Sequence, residues 1–422
     1  MQTRSAEIAI VGAGPAGAHL ASRLAAEGRE VVLFDPKGAW EKPCGGGVPT
    51  RAIREFAFIL EDSNYPRKLV RKITMISPLN RRVTLNLEEP FAIYSRQVLN
   101  GLVLDRAIEA GAEFVREGVR DFHNTADGWS ISTDCGSEWR VRLLVGADGA
   151  ASFTRRRLVG IFPKRDLALA FGYNVVCAEA DGTRGSDGTN MAQGSEPFTD
   201  EIVVRFPRDF TGYLWAFPRP GVMNFGVFSR FENTKSQALR KLLTDFVCTS
   251  YGGCMPDPKR VSFFAAKIPA LDPGSWKGLQ ASGDRWALVG DGAGFADPIT
   301  GEGIYYALKS ADLLANGLHR RRETKRRTLN GKSQCMQSDY GLATAHYEQM
   351  WRDEFGRELE HASYRRQQFY HGRFLGRTVT DAMVMLARHH RGVRAMLAGV
   401  LTGAEGYLFL RTHLLRRVLQ VF

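Results

Sequence analysis

Eleven residues near the start of the chain constrain its fold more than anything that follows. They read Glu7-Ile8-Ala9-Ile10-Val11-Gly12-Ala13-Gly14-Pro15-Ala16-Gly17, and an Ala/Leu-rich run then leads to Glu30-Val31-Val32-Leu33-Phe34-Asp35. An apolar strand enters a glycine turn, a helix follows, and a second apolar strand ends in a carboxylate. This is the pattern of a dinucleotide-binding β-α-β unit. Gly12 permits the tight turn, Gly14 admits a pyrophosphate to the backbone, and Gly17 lets the helix close on the sheet. The helix N-terminus then faces the phosphates with free N–H groups and its positive dipole end. Asp35 lies eighteen residues after Gly17, where it can accept from ribose hydroxyls.

Two more features end in an acid. The strand Leu143-Leu144-Val145 runs into Gly146-Ala147-Asp148-Gly149, with Ser152 and Arg155 beyond it. The strand Arg285-Trp286-Ala287-Leu288-Val289 runs into Gly290-Asp291, then Gly301-Glu302-Gly303-Ile304, which opens a long helix to about Arg320. Between them the pattern changes to period two. Residues 73–93 read as a hairpin with a turn at Pro78-Leu79-Asn80, after one or two short helices in 51–72. Residues 161–275 are strand-rich, with a polar loop at 179–196 and an aromatic crest at Tyr213-Leu214-Trp215-Ala216-Phe217-Pro218 that pairs with 222–229. By period two Tyr213, Trp215 and Phe217 share one strand face. Residues 234–250 read as a helix, and from Arg320 the chain is mostly helical: 339–374, 379–400 and 407–421.

The three acid-terminated features, at these separations, resemble the flavoprotein family built on the p-hydroxybenzoate hydroxylase fold. The resemblance covers about residues 6–310 and implies FAD. It implies an α/β fold class: a Rossmann-type FAD-binding domain (1–72, 94–160 and 280–320) interleaved with an antiparallel β-sheet substrate domain (73–93 and 161–279), then a C-terminal helical region (321–422). Asp291 would accept from ribityl hydroxyls, and Gly303 and Ile304 would offer N–H groups to the flavin edge that gains charge on reduction. Arg96 matches the arginine that opens the helix beside the flavin, although the Asp that often follows it is absent here. Asp148 shapes its turn and contacts the cofactor, and Ala16, Val48 and Val119 complete the expected contacts.

A finer match lies in Lys42-Pro43-Cys44-Gly45-Gly46-Gly47-Val48-Pro49 together with the aromatic crest. Both segments resemble the geranylgeranyl reductase family. Three consecutive glycines let backbone lie against a planar ring with no Cβ between. On this resemblance Gly45 and Gly46 lie under the flavin, and Cys44 sits near it, either as a proton donor or redox-active thiol or as a small buried hydrophobe. Tyr213, Trp215 and Phe217 either wall an apolar tunnel for a polyprenyl chain or form plain core. The implied activity is saturation of prenyl C=C bonds by hydride from reduced FAD, with NADPH or reduced ferredoxin as electron donor and a prenyl lipid as substrate. Two rivals stand beside it. One is an aromatic monooxygenase or halogenase on the same fold, since the crest is one substitution from the WxWx[IF]P halogenase-like pattern. The other is a flavin-holding electron relay without small-molecule turnover.

Charge and cysteine usage narrow the setting. The formal net charge is +12, but residues 320–422 hold 19 Lys/Arg against 9 Asp/Glu, so the basicity belongs to the last quarter. A solvated helical surface or contact with anionic headgroups or an acidic partner accounts for it. No nucleic-acid reader motif is present. The tail from Gly399, with Leu, Tyr and Phe among Arg411, Arg416 and Arg417, suits a membrane interface. The six cysteines are scattered without CxxC or metal-ligand spacing, so no disulfide framework and no metal site is expected. With no signal-peptide segment and no long apolar run, the expected location is cytoplasmic, either free or peripheral on the inner face of the membrane.

Overall fold

The computed structural model describes residues 3–177, 198, 200–231, 236–328, 339–374 and 376–408, with side chains of the helix Ile304–Thr328 described through residue 319. The chain divides into two compact units. The first comprises Met1–Lys42, Arg96–Leu167 and Lys267–Tyr364, and the second comprises Pro43–Ser95, Ala168–Ala266 and Arg365–Phe422.

The first unit is built on a mostly parallel sheet. Strands Trp286–Leu288, Glu138–Gly146, Arg4–Val11, Val31–Phe34 and Glu113–Val115 lie side by side in that order, all parallel. Ser282–Gly283 adds an antiparallel edge, and Val119–Thr125 and Gly128–Thr133 extend Glu138–Gly146 as an antiparallel meander. The central strands read as unbroken apolar runs because helices cover both faces of such a sheet. Ile8, Ile10, Val32, Leu33, Leu143 and Leu144 are fully buried. The helices Pro15–Ala26, Arg96–Glu109 and Ile304–Thr328 pack together on this unit. The register aligns Val11 with Phe34 on one side and Gly146 on the other, and Gly146 with Leu288. The carboxyl ends of four neighbouring strands therefore come level.

The second unit holds an eight-stranded sheet in the order Val261–Pro269, Leu167–Val176, Val222–Arg230, Gly212–Arg219, Ile202–Arg205, Arg67–Ile76, Arg82–Tyr94, Gly47–Val48. From Leu167–Val176 to Gly47–Val48 it is antiparallel except where Ile202–Arg205 runs parallel to Arg67–Ile76, a pairing the expected antiparallel sheet did not include. One face is core. Leu214, Ala216, Phe225 and Val227 pack there against Leu239, Leu243, Phe246 and Val247 of the helix Ser236–Ser250.

Several boundaries differ from the sequence expectation. Residues 43–72 belong to the second unit, because Gly47 and Val48 pair with Ile93 and Ala92 at that sheet's edge. The helices Thr50–Glu55 and Phe58–Glu61 are as short as expected, but strand begins at Arg67, not 73. The basic pairs Arg67-Lys68 and Arg71-Lys72 mimic helical spacing, while Val70 buries opposite Phe91. The C-terminal helical region is not one body. Its helix Asp339–Trp351 continues through a π-helical turn, Arg352–Gly356, into Arg357–His371, and the unit boundary falls after Tyr364. A two-stranded turn, Arg373–Phe374 with Arg377–Thr378, precedes helices Val379–His389 and Arg391–Thr402, which separate at His390. The expected 179–196 loop and the tail beyond Leu408 lie outside the described residues. No helix among the described residues is long and apolar enough to cross a membrane.

Candidate functional site

In the first unit the aligned strand ends gather the sequence-marked residues at one edge of the sheet. Gly12 and Gly14 follow Arg4–Val11, Asp35 follows Val31–Phe34, Asp148 follows Glu138–Gly146, and Asp291 follows Trp286–Leu288. Ligands of open α/β sheets bind at such carboxyl ends. Gly12 has φ +105°, and a Cβ there would stand 2.5 Å from the Ala147 carbonyl oxygen. A Cβ on Gly17 would stand 1.9 Å from the Gly12 carbonyl oxygen, whereas one on Gly14 would meet nothing within 4 Å. The helix Pro15–Ala26 has no side-chain cap and no acid in its first turn. The N–H groups of Ala16 and Gly17 have no acceptor among the described residues. Open space thus faces unpartnered donors at a positive helix end, which fits a pyrophosphate.

The acids around this edge differ in their roles. Asp35 accepts from the N–H groups of Ala13 (2.9 Å), Lys37 (2.8 Å) and Gly38 (2.9 Å), so it fixes the turn and keeps lone pairs for a ribose. Asp148 accepts from the Ser152 hydroxyl and from Thr154 through its N–H (2.9 Å) and hydroxyl (3.2 Å), and burial pushes its carboxyl above the usual carboxylate range. It is a turn-former. Asp291 is paired with Lys42 at 3.1 Å, and a Cβ on Gly303 would stand 2.9 Å from its Oδ1. The N–H groups of Gly303 and Ile304 have no acceptor among the described residues, while the next, Tyr305 N–H, donates to Glu302 Oε1 (2.7 Å).

Arg96 is 4% exposed, and its Nε is buried without a partner. The helix it opens is capped by Glu41, whose two oxygens accept from Arg96 N–H (3.2 Å) and Gln97 N–H (3.0 Å). Asn100 accepts from the Arg96 guanidinium at 3.2 Å. Val119 is half-buried on the apolar cluster that contains Val32, Phe34 and Val115. Lys42 and Glu41 were missed by sequence reasoning. Their signal, a Glu-Lys pair directly before Pro43, carries meaning only once the fold brings Asp291 and Arg96 to it.

The second unit contains the other marked residues. Tyr213, Trp215 and Phe217 form a continuous row on the sheet face opposite the core, with ring centroids 6.0 and 6.2 Å apart, and Tyr213 stacks on Phe228 at 5.4 Å. Leu214 and Ala216, between them, belong to the core cluster on the other face, and within the row itself Trp215 is buried while Tyr213 and Phe217 are half-buried. Trp215 stands opposite Gly226, and the missing side chain there lets the indole lie across the neighbouring strand. Its Nε1 donates to Asn224 Oδ1 (2.7 Å), and Asn224 donates to Asn174 Oδ1 (2.6 Å), so the indole N–H of the row is tied down.

The triple glycine lies against this row. A Cβ on Gly45 or Gly47 would come within 3.0 Å of the Phe217 ring, and one on Gly46, at φ +80°, would stand 1.9 Å from the Tyr94 carbonyl oxygen. Within this unit the Phe217 ring and the Tyr94 carbonyl already exclude side chains at the three glycines. Arg219, 6% exposed and not singled out from the sequence, donates through Nε to the Gly45 carbonyl (3.2 Å) and through its terminal nitrogen to the Cys44 carbonyl. Cys44 is half-buried and its Sγ accepts from Gly46 N–H at 3.3 Å. Val48, expected among the cofactor contacts, has no exposed surface. Among the described residues no group of three or more His, Cys, Asp or Glu is placed to hold a metal ion.

Known proteins are similar to this chain in sequence and in fold. The FAD binding domain family matches residues 5–188. The geranylgeranyl diphosphate reductase of Rhodobacter capsulatus is 30% identical over 308 residues, covering 71% of this chain and 71% of its own. The chloroplastic geranylgeranyl diphosphate reductase of Arabidopsis thaliana is 28% identical over 348 residues, which is 75% of this chain but 66% of the plant protein. The crystal structure of a geranylgeranyl bacteriochlorophyll reductase-like protein from Thermoplasma acidophilum superposes with a TM-score of 0.73 at 20% identity, covering 98% of this chain and 99% of that one. It shows a common fold.

Proposed function

Because the chain belongs to the geranylgeranyl reductase family of FAD-dependent oxidoreductases, we propose that it saturates C=C bonds of geranylgeranyl-type prenyl groups. The observation that carries this reading is the Tyr213–Trp215–Phe217 row. It is a row of rings on the sheet face away from Leu214 and Ala216, with Trp215 buried, Tyr213 and Phe217 half-buried, and the indole N–H already bonded. Such a row offers ring faces to a long apolar chain.

The first unit would hold FAD. Ala16 and Gly17 N–H groups would bind the pyrophosphate, Asp35 a ribose, Asp291 the ribityl hydroxyls, and Gly303 and Ile304 N–H groups the flavin edge, with Arg96 beside it. Bound and reduced, FAD supplies a hydride equivalent, replenished by NADPH or reduced ferredoxin. The chain's own residues do the rest. The ring row binds and orients the prenyl chain and excludes water. The Cys44 thiol donates the proton that the second alkene carbon needs and regains it from solvent, so each saturated bond takes up one hydride and one proton. Arg219 and the glycines hold Cys44 in place.

Mass spectrometry of apolar material extracted from the purified protein tests the substrate class. Prenyl lipids, intact or partly saturated, are expected. An aromatic acid or pyrrole in their place would favour the monooxygenase or halogenase reading.

A further inference from the structure

The segment between the helix Phe153–Leu158 and the short turn Lys164–Asp166 is built as a rigid, apolar-tipped, cationic prominence. Residues 156–165 read Arg-Arg-Leu-Val-Gly-Ile-Phe-Pro-Lys-Arg, four cations without an acid. All four cations, Arg156, Arg157, Lys164 and Arg165, are exposed. Ile161 is 73% exposed, more than any other large hydrophobic side chain described. Its neighbour Phe162 is 7% exposed and lies beneath the Arg155 guanidinium at 3.8 Å.

The prominence is held from both sides. Ser152 caps the preceding helix by accepting from Arg155 N–H (2.8 Å), and Asp148 holds Ser152 in turn. At the far end the buried Asp166 accepts from Asp272 N–H (2.9 Å) and the Ser275 hydroxyl (2.8 Å). Phe162 therefore points in and Ile161 out by construction. Asp121 pairs with Arg157 at 2.8 Å, which leaves the segment strongly positive.

We propose that residues 156–165 dock on an anionic bilayer surface, with Ile161 entering the headgroup layer and Arg156, Lys164 and Arg165 meeting lipid phosphates. The combination argues for this occupant. Cations alone would suit any polyanion, and an exposed isoleucine alone would be ordinary; an apolar tip fixed among cations matches an interface that is anionic outside and apolar beneath. The inference does not depend on the substrate assigned above.

Flotation of the FAD-loaded full chain on phosphatidylcholine vesicles with and without phosphatidylglycerol tests it. Binding is expected on the anionic vesicles only, weakening as salt is raised. The double variant Arg156→Glu/Lys164→Glu should bind more than tenfold more weakly, from about fivefold for each cation lost. Ile161→Asp should also bind several-fold more weakly. FAD absorbance and melting temperature serve as the fold control for both, and Ile161→Ala is the milder variant if either fails it. Three results would overturn the proposal. The first is flotation of the loop variants as strong as the parent's. The second is loss of binding in the full-chain variant Arg411→Glu/Arg416→Glu/Arg417→Glu alongside its retention in the loop variants. The third is full binding by Ile161→Asp and Ile161→Ala with loss in the charge variant, which would mark a general polyanion site.

Discussion

Gly14 and Gly17 stand three residues apart in one turn, yet a methyl group would do different things at each. At Gly17 it would stand 1.9 Å from the Gly12 carbonyl oxygen, so Gly17→Ala must push helix from strand. At Gly14 it would meet no protein atom within 4 Å and would project only into the space assigned to the pyrophosphate. Gly14→Ala should therefore leave the melting temperature of the FAD-free protein within a degree or two, as surface changes of about 0.5 kcal/mol do. It should still weaken FAD binding by about tenfold or more. Gly17→Ala should lose both stability and FAD. Titration of FAD beside thermal melts checks this, and equal losses from the two variants would contradict the assignment. The glycine positions were legible because their spacing is local. Lys42 and Arg219 were not, because their partners lie 249 residues away in Asp291 and 174 to 175 residues away in Gly45 and Cys44. Nothing in a local window marks a lysine as the counter-ion of a distant strand end, or an arginine as a clamp on two distant carbonyls.

Among the elements, the helices Pro15–Ala26 and Ile304–Thr328 are joined by a small ionic cluster. Asp312 accepts from His19 Nε2 (2.9 Å) and from Arg23, which also donates to Asn316 Oδ1 (3.1 Å). Burial alone would push the Asp312 carboxyl up, but the His19 hydrogen bond and charge, with Arg23, outweigh it and hold the group below its ordinary 3.8. Its contribution to stability is therefore complete above 3.8 and fades as pH falls through the lower folded value. Asp312→Asn should melt lower than the parent at neutral pH, by about 1–2 kcal/mol of stability. The gap should close as pH is lowered below about 4. Parallel melting curves at every pH would contradict this. The helices were readable from spacing and the aromatic hairpin from its alternation and its Pro-Gly turn. The parallel pairing of Ile202–Arg205 with Arg67–Ile76 was not, because it joins strands far apart in sequence and no turn residue announces it. The early start of strand at Arg67 was hidden for a related reason: partner strand, not local composition, decides whether a charged stretch is helical or extended.

For the molecule as a whole, the fold and family follow from motifs spread over the first three quarters of the chain, and the division of labour among them follows from the two units. Residues 43–49 trail the cofactor motif in sequence but belong structurally with the aromatic row. The triple glycine, which sequence analysis placed under the flavin ring, is required by Phe217 and by the sheet edge at Tyr94. The reductase reading and its oxygen-dependent rivals share every fold-level feature, so the chemistry must separate them. The decisive measurement is anaerobic: the FAD-loaded protein, reduced chemically, is mixed with geranylgeranyl diphosphate in the absence of oxygen. The flavin spectrum should return to its oxidised form, and the product should be heavier by two hydrogens for each bond saturated. A flavin that stays reduced, with the prenyl chain unchanged until oxygen is admitted, would contradict the assignment.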